Sequence, residues 1–267
     1  MSLSLQIREK LQTEAYAKRA CEFFNNDNEK FTRFKSVLLN IAGDSKLQGC
    51  NANSIISSAF SLAELNLDIN PLLGQCYIVK YRQDAEPVIS YKGWQTILKR
   101  TGRDCRAYSV FNCDTFELDL SDFEEKITFK PNLKERKESD DKWYCENLLG
   151  VVVKIFSNSS KKIIFVSKEK IEKIKGKSPN KGQYSVYNSW AEEMYLAKAI
   201  KYTLSREPLV SGDENVAKSI ALENQQEIKR QNETPEVEVQ EVNPNDLPIV
   251  DSNFNGVEIN YENNQNS

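Results

Sequence analysis

The sequence predicts an α+β fold: a mainly antiparallel sheet with a β-hairpin leading into a helix, flanking helices at both ends and a disordered acidic tail. Apolar residues recur at helical spacing near both ends of the ordered part. Short runs of β-forming residues, separated by polar turns, fill the middle of the chain. Such short loops favour antiparallel pairing, because parallel strands need long crossovers. The last part is acidic and poor in aromatic residues, a composition typical of disorder.

Three regions follow from this pattern: a helical region at 1–65, an α+β core at 66–211 and an acidic tail at 212–267. The net charge of -3 conceals an asymmetry between them. The tail carries 12 acidic and 3 basic residues, a net of -9, which leaves 27 acidic and 33 basic residues, a net of +6, before it. A basic body with an acidic tail is common among proteins that bind nucleic acids. We expect Gly212 to end the ordered body.

Composition also restricts the chemistry. Histidine is absent, which removes the commonest metal ligand and general base. The six cysteines show no CxxC spacing and are interpreted as small core residues. No apolar run approaches the length of a membrane span, so the chain is expected in the cytoplasm. No catalytic residue and no metal site is predicted.

The first region is predicted to hold three helices. Leu3 to Phe24 repeats apolar residues every four positions, and a polar run at 25–28 ends this helix. Phe31 to Ile41 carries the second helix. The third is predicted to begin at Asn53, as an N-cap, and to continue to residue 65.

The core begins with a predicted hairpin and helix. Gln75 to Tyr81 alternates like a strand, and a second short strand, Val88 to Tyr91, follows a polar turn. Beyond Gly93 the spacing becomes helical. The side of this helix predicted to face the core carries Trp94, Ile97 and Leu98.

Cations and aromatic residues interleave along this hairpin and helix. The candidate DNA contacts are Lys80, Tyr81, Arg82, Tyr91, Lys92, Gln95, Lys99, Arg100 and Arg103. A cationic stripe opposite an apolar one is often only the solvated face of a helix. Cations also hold phosphates, and exposed aromatic rings stack on bases, so the mixture suits a single-stranded nucleic acid. Both interpretations stay open at this point.

The rest of the core is rich in predicted strands. They are 105–111, 115–120, 126–130, 147–156 and 161–166. The charged run at 134–142 reads as a solvated loop, and 168–175 as a short helix followed by a basic loop at 176–182. That loop lacks the GxxxxGK[ST] pattern of a nucleotide site. Ser189 with Glu192 forms a capping box that opens the last core helix.

Two strings in the core resemble a known family. Residues 66–77 (NLDINPLLGQCY) and 91–94 (YKGW) are similar to the signature of the RecT family of phage and prophage single-strand DNA annealing proteins, or recombinases. Segments at 108–119, 150–154, 165–169 and 190–208 follow in the order and spacing of that family. The resemblance covers roughly residues 30–210.

This resemblance implies a function. Proteins of the family bind single-stranded DNA and anneal complementary strands without ATP in phage-type homologous recombination. They act as rings or helical filaments, alongside a 5′–3′ exonuclease that supplies 3′ overhangs and a host single-strand-binding protein. No cofactor is implied, and Mg²⁺ at most modulates annealing by screening charge. The family places paired basic residues after the Glu-Met of the last helix. Here Glu193-Met194 precedes Tyr195, and the resemblance passes that basic role to Lys198 and Lys201.

Two other functions remain open. A metal-dependent nuclease would use Asp68, Asp84 and Glu86 to hold Mg²⁺, although the Glu-x-Lys placement typical of such sites is missing. A non-catalytic scaffold would use the acidic tail to capture a basic partner and the cationic stripe for assembly. DNA degradation in Mg²⁺ would identify the nuclease. Salt-dependent binding to single-stranded DNA would separate the annealing protein from the scaffold.

Overall fold

The computed structural model describes residues 2–119, 121, 126–158, 160–175 and 191–232. All of them lie in one compact unit, Met1–Thr234. Its helices and antiparallel strands share an apolar core, so the α+β prediction is confirmed. Within this part of the chain, no helix is both long enough and apolar enough to cross a membrane.

Four helices make up the N-terminal region. They are α1 (Leu3–Leu11), α2 (Glu14–Phe23), α3 (Asn28–Ala42) and α4 (Ala52–Glu64), with a 3₁₀ turn at Ser45–Leu47 between the last two. Aromatic rings in and beside these helices pack against one another at centroid distances of 4.8 to 6.5 Å. The rings belong to Phe23, Phe24, Phe31, Phe34 and Phe60. This cluster joins α2, α3 and α4 to the common core, to which α1 contributes Leu3, Ile7 and Leu11.

The prediction of one helix from Leu3 to Phe24 is wrong, because the structure has two helices there. Thr13 is extended (φ -67°, ψ 148°) and is the N-cap of α2, while its hydroxyl donates to the Lys10 carbonyl at 2.7 Å. Such side-chain bonds to the backbone compete with helix continuation. The predicted cap of the third helix is also displaced. Asn51 rather than Asn53 is the N-cap of α4, since its side chain accepts a hydrogen bond from the Asn53 N–H.

The predicted hairpin is present, with a longer second strand than expected. Strand β1 (Cys76–Tyr81) pairs with β2 (Asp84–Ile89), and Arg82 in the turn has a φ of 55°. Helix α5 (Tyr91–Lys99) follows. The prediction that the second strand spans Val88 to Tyr91 is therefore wrong at both ends. Two acidic residues in the first half of β2 hide this strand in the sequence, because carboxylates are depleted in strands.

Five further strands confirm the predicted β-rich middle. Strands β3 (Asp104–Phe111), β6 (Leu148–Phe156) and β7 (Lys161–Ser167) form an antiparallel sheet in the order β3-β6-β7. Strands β4 (Thr115–Asp119) and β5 (Lys126–Lys130) form a separate hairpin. Burial alternates along β5, whereas β4 is exposed at every position except Phe116.

Three helices accompany these strands. Helix α6 (Asp141–Asn147) was not predicted, helix α7 (Lys168–Lys175) agrees with its prediction, and helix α8 (Ala191–Leu204) packs against β3, β6 and α5. Asp140 caps α6 by accepting hydrogen bonds from two backbone N–H groups. The predicted basic loop at 176–182 and the Ser189 capping box lie outside the described residues.

The last described helix, α9 (Glu214–Asn232), corrects the predicted end of the ordered body at Gly212. Val216 and Ser219 are completely buried, so this helix is a packed part of the compact unit. Its sequence is polar and only weakly amphipathic, and it was counted with the acidic stretch that follows it, which is why composition predicted disorder. Two carboxylates counted in the predicted acidic tail, Glu223 and Glu227, are paired with cations of the core.

Candidate nucleic-acid interface

The loop that precedes β1 is held in one conformation by its own side chains. Asp68 accepts a hydrogen bond from the Asn70 N–H at 2.9 Å, and Asn70 accepts one from the Leu72 N–H at 3.1 Å. Asn70 thereby caps a 3₁₀ turn at Pro71–Leu73, which ends at Gly74 with a φ of 61°. The motif that carries the family resemblance is therefore a turn held by hydrogen bonds between its own residues.

Ser90 fastens this loop to helix α5. Its hydroxyl lies 2.6 Å from the Gly74 carbonyl oxygen and accepts a hydrogen bond from the Gly93 N–H at 3.0 Å. Gly93 is required at this point, because a Cβ there would lie 2.1 Å from the Gln75 carbonyl oxygen. The hairpin, the loop and α5 therefore form one rigid support.

The two faces of α5 agree with the prediction from sequence. Trp94, Ile97 and Leu98 are completely buried, while Lys92 and Lys99 on the opposite side are exposed. The apolar face belongs to the common core and fixes the helix in place.

The structure places the eleven candidate DNA contacts in three different environments. Exposed are Lys80, Arg82, Lys92, Lys99 and Arg100. Partly buried are Tyr91, Gln95 and Arg103. Buried are Tyr81, Lys198 and Lys201.

Several exposed cations already have protein partners. Arg100 donates to the carbonyls of Leu65 and Asn66 at 3.1 and 2.6 Å, where it stabilises the C-terminal end of α4. The ammonium of Lys80 donates to the Gln48 carbonyl at 2.6 Å. The Lys92 ammonium, in contrast, has no ion-pair partner within the described part of the chain. Lys92 is thus exposed and could bind a phosphate without displacing a carboxylate of the described residues.

The partly buried candidates are tied to neighbouring elements. The Gln95 amide donates to the Cys105 carbonyl at 2.9 Å and joins α5 to β3. Arg103 pairs with Asp213, which has 2% of its side chain exposed and lies just before α9. Burial of this pair makes Arg103 a structural contact of α9.

Tyr81 does not offer its ring to a base in this conformation. Only 4% of the residue is exposed. The guanidinium groups of Arg82 and Arg230 lie 5.6 and 5.4 Å from the centroid of its ring. Arg230 of α9 also binds Glu86 of β2, with its Nε at 2.8 Å. The end of α9 is therefore anchored on the hairpin by one arginine with two partners.

Lys198 and Lys201 of α8 belong to a buried ion cluster. Lys198 lies 2.8 Å from Glu223 and 3.1 Å from Glu227, and Lys201 lies 2.7 Å from Glu227. The two lysine side chains are only 11% and 5% exposed. Burial by itself would raise the pKa of Glu227, but the attraction and hydrogen bonds of both lysines outweigh burial and lower this pKa. The four groups therefore stabilise one another as charges.

Helix α9 covers part of the surface that the sequence predicted for DNA. Four candidate contacts touch α9 or the residue before it: Tyr81, Arg103, Lys198 and Lys201. Sequence reasoning missed their partners Asp213, Glu223, Glu227 and Arg230. Spacing was the available signal, because two glutamates four residues apart match two lysines three residues apart on facing helices.

The three carboxylates considered for a nuclease each face a cation. Asp68 pairs with Arg33 at 3.1 Å and Asp84 with Lys229 at 3.3 Å. Glu86 pairs with Arg230, as described above. In the described ranges, no group of three or more His, Cys, Asp or Glu residues could hold a metal ion. Each of these three carboxylates therefore pairs with its own cation, and the three do not form one metal site.

Comparison with known proteins identifies the family. The RecT family model matches residues 29–239, more than half of the 267-residue chain, and the chain therefore belongs to the RecT family. It is also similar to the uncharacterized protein YqaK of Bacillus subtilis (strain 168). The two are 27% identical over 219 residues, which cover 81% of this chain and 73% of that protein. Membership confirms the resemblance seen in the motifs and associates the chain with single-strand annealing in DNA recombination.

Proposed function

We propose that this protein binds single-stranded DNA and anneals complementary strands without ATP, as a multimer and without enzymatic chemistry, in phage-type recombination in a bacterial cytoplasm. The RecT family match over residues 29–239 is the observation that carries this proposal. Annealing requires that the repulsion between two phosphate backbones be neutralised while the bases stay accessible for pairing. Exposed cations on a rigid hairpin and helix meet this requirement.

Phosphates would contact the exposed candidates first. Lys92 and Lys99 project from α5, and Lys80 and Arg82 from the hairpin. Tyr91 lies beside them, while Tyr81, Gln95, Arg100 and Arg103 hold the surface in shape. For Lys198 and Lys201, contact with DNA requires phosphates to replace the carboxylates of Glu223 and Glu227.

Annealing of two complementary oligonucleotides tests the function. We expect the rate above the spontaneous background to be the same with and without ATP, and Mg²⁺ to change it only through charge screening. Obligatory ATP would contradict the proposal. Degradation of labelled DNA in Mg²⁺ that Asp84→Asn abolishes would support the nuclease instead. Binding without annealing would support the scaffold.

The phosphate contacts are tested by replacing Lys92 and Lys99 together with alanine. Loss of two contacts should make the log–log salt dependence of single-stranded DNA binding shallower by about 1.4, or about 0.7 for each contact. Lys142→Ala is the matched control, because Lys142 is 83% exposed on α6 and its ion-pair contact, Glu146, lies on the same helix at 3.9 Å. An unchanged slope in the double variant would show that the cationic stripe is only the solvated face of α5.

The proposed assembly and partners need their own measurements. We propose a ring or helical filament on single-stranded DNA and on the annealed duplex, a 5′–3′ exonuclease partner and contact with a host single-strand-binding protein. Light scattering with and without an oligonucleotide would detect the multimer. A protein that stays monomeric on DNA yet anneals it would contradict the assembly and leave annealing in place.

A further inference from the structure

We infer a second contact surface for single-stranded DNA on the outer face of the three-stranded sheet. This inference rests on the proposed function and extends it to residues outside the hairpin and α5. The outer face is the side of β3-β6-β7 turned away from the common core. It includes Arg106, Tyr108, Val152, Lys154 and Phe165.

Alternation along the strands identifies this face. Val151 and Val153 belong to the common core beneath α8. Val152 lies between them and points to the opposite side. It is completely buried but stays outside the common core, so residues of the outer face itself cover it.

An aromatic row crosses the outer face. Strand register aligns Tyr108 of β3 with Val152 of β6 and Phe165 of β7. Phe165 packs against Phe116 of the β4–β5 hairpin at a centroid distance of 4.5 Å. Gly150 makes room for this ring, because a Cβ there would lie 2.6 Å from it. Tyr108, at the β3 edge, has no such cover and is 45% exposed.

Two cations stand beside the exposed tyrosine. Arg106 and Lys154 are direct cross-strand partners, and both are exposed. The Lys154 ammonium lies 5.5 Å from the centroid of the Tyr108 ring. Among the described residues, the acidic contact of this pair is Asp104, 3.9 Å from Arg106. Like charges directly opposite each other destabilise a sheet, so the pair is not explained by folding stability.

Single-stranded DNA fits this combination. Its phosphates would neutralise Arg106 and Lys154, and an unpaired base would stack on the Tyr108 ring. A duplex would satisfy the cations but not the ring, because its base faces are already stacked on each other. An acidic protein segment would likewise use only the cations. The aromatic ring therefore selects the single strand.

The experiment compares variants of the full chain on a dT oligonucleotide and on the same oligonucleotide with abasic positions. Tyr108→Ala should weaken binding to the normal oligonucleotide by roughly 5- to 150-fold, while Tyr108→Phe keeps the stacking surface and should bind like the parent. Abasic positions should weaken the parent protein and leave Tyr108→Ala little changed. Arg106→Ala with Lys154→Ala should lower the salt slope by about 1.4, with Lys142→Ala as the control.

The outcomes separate this inference from the proposed function. Equal loss of affinity by Tyr108→Ala on normal and abasic oligonucleotides would overturn the stacking role. An unchanged salt slope in the Arg106 and Lys154 double variant would overturn the phosphate contacts. Either result would leave annealing by the parent protein intact. Failure of the parent to anneal at all would instead contradict the proposed function. Melting temperatures close to that of the parent confirm that each variant is folded.

Discussion

Two pairs of cations lie in opposite environments in this protein, one buried and one exposed. Lys198 and Lys201 lie beneath α9, where two glutamates neutralise them. Arg106 and Lys154 lie side by side on the outer face of the sheet, next to an exposed tyrosine. Both pairs add equally to the net positive charge of residues 1–211. The first pair stabilises the fold, whereas the second destabilises it. The residues packed around each pair, rather than the number of cations, decide its role.

The largest expected effect follows from breaking the buried pair. Lys201→Met leaves Glu223 and Glu227 buried with one cation in place of two. We expect the free energy of unfolding to fall by about 3 kcal/mol, because an uncompensated buried charge is strongly destabilising. Urea denaturation at neutral pH measures this change.

Lys218→Met is the control for that experiment. Lys218 is exposed on α9, the helix that carries Glu223 and Glu227, and its replacement should change the free energy of unfolding by less than about 0.5 kcal/mol. If Lys201→Met is as stable as this control, α9 is not held by the ion cluster, and the contrast between the two pairs disappears.

A smaller effect is expected in the pH dependence of stability. The pKa of Glu227 is lowered in the folded protein from its ordinary value of 4.5, so its charge stabilises the fold above that value. This contribution is lost as the pH falls through the lowered pKa. Glu227→Gln should therefore cost about 1 kcal/mol at neutral pH and progressively less below pH 4.5. A deficit that is constant between pH 7 and pH 3 would show that the charge of Glu227 is unimportant.

The smallest effect concerns the exposed pair. Replacing Lys154 by alanine and then by glutamate changes repulsion with Arg106 into attraction. Stability should rise in the order Lys, Ala, Glu, by about 0.5 kcal/mol in total, while affinity for single-stranded DNA falls in the same order. Thermal denaturation and a binding titration on the same samples measure both trends. Parallel loss of stability and affinity would make Lys154 a structural residue.

Local sequence predicted most of the fold. The strands with β-branched runs, such as β6, were found because alternation and propensity agree there. Helix α6 was missed, because seven residues after a charged loop carry too little periodicity. Helix α9 was missed for a different reason. Its buried face is largely polar, with Ser219 and Glu223 at positions where an amphipathic helix usually carries apolar residues.

The candidate site was less predictable than the fold. The sequence identified α5 and its exposed lysines, since both follow from local spacing. Partners from distant segments stayed hidden, such as Asp213 for Arg103, 110 positions away. The outer face was also hidden, because Arg106 and Lys154 become neighbours only through the register of β3 with β6. Contacts between residues far apart in the sequence define both the candidate site and the outer face, and one sequence alone does not reveal them.

The docking of α9 has a consequence for the order in which the protein matures during synthesis. The helix is the last described element to leave the ribosome, and its contacts reach far back along the chain: Arg230 to Glu86 spans 144 positions and Gln226 to Pro87 spans 139. Such long-range contacts form late in folding. Lys198 and Lys201 gain their glutamates only once α9 has been made, because Glu223 and Glu227 follow them by 25 and 26 positions. Docking of α9 thus completes the charge balance of a core whose preceding elements are already made.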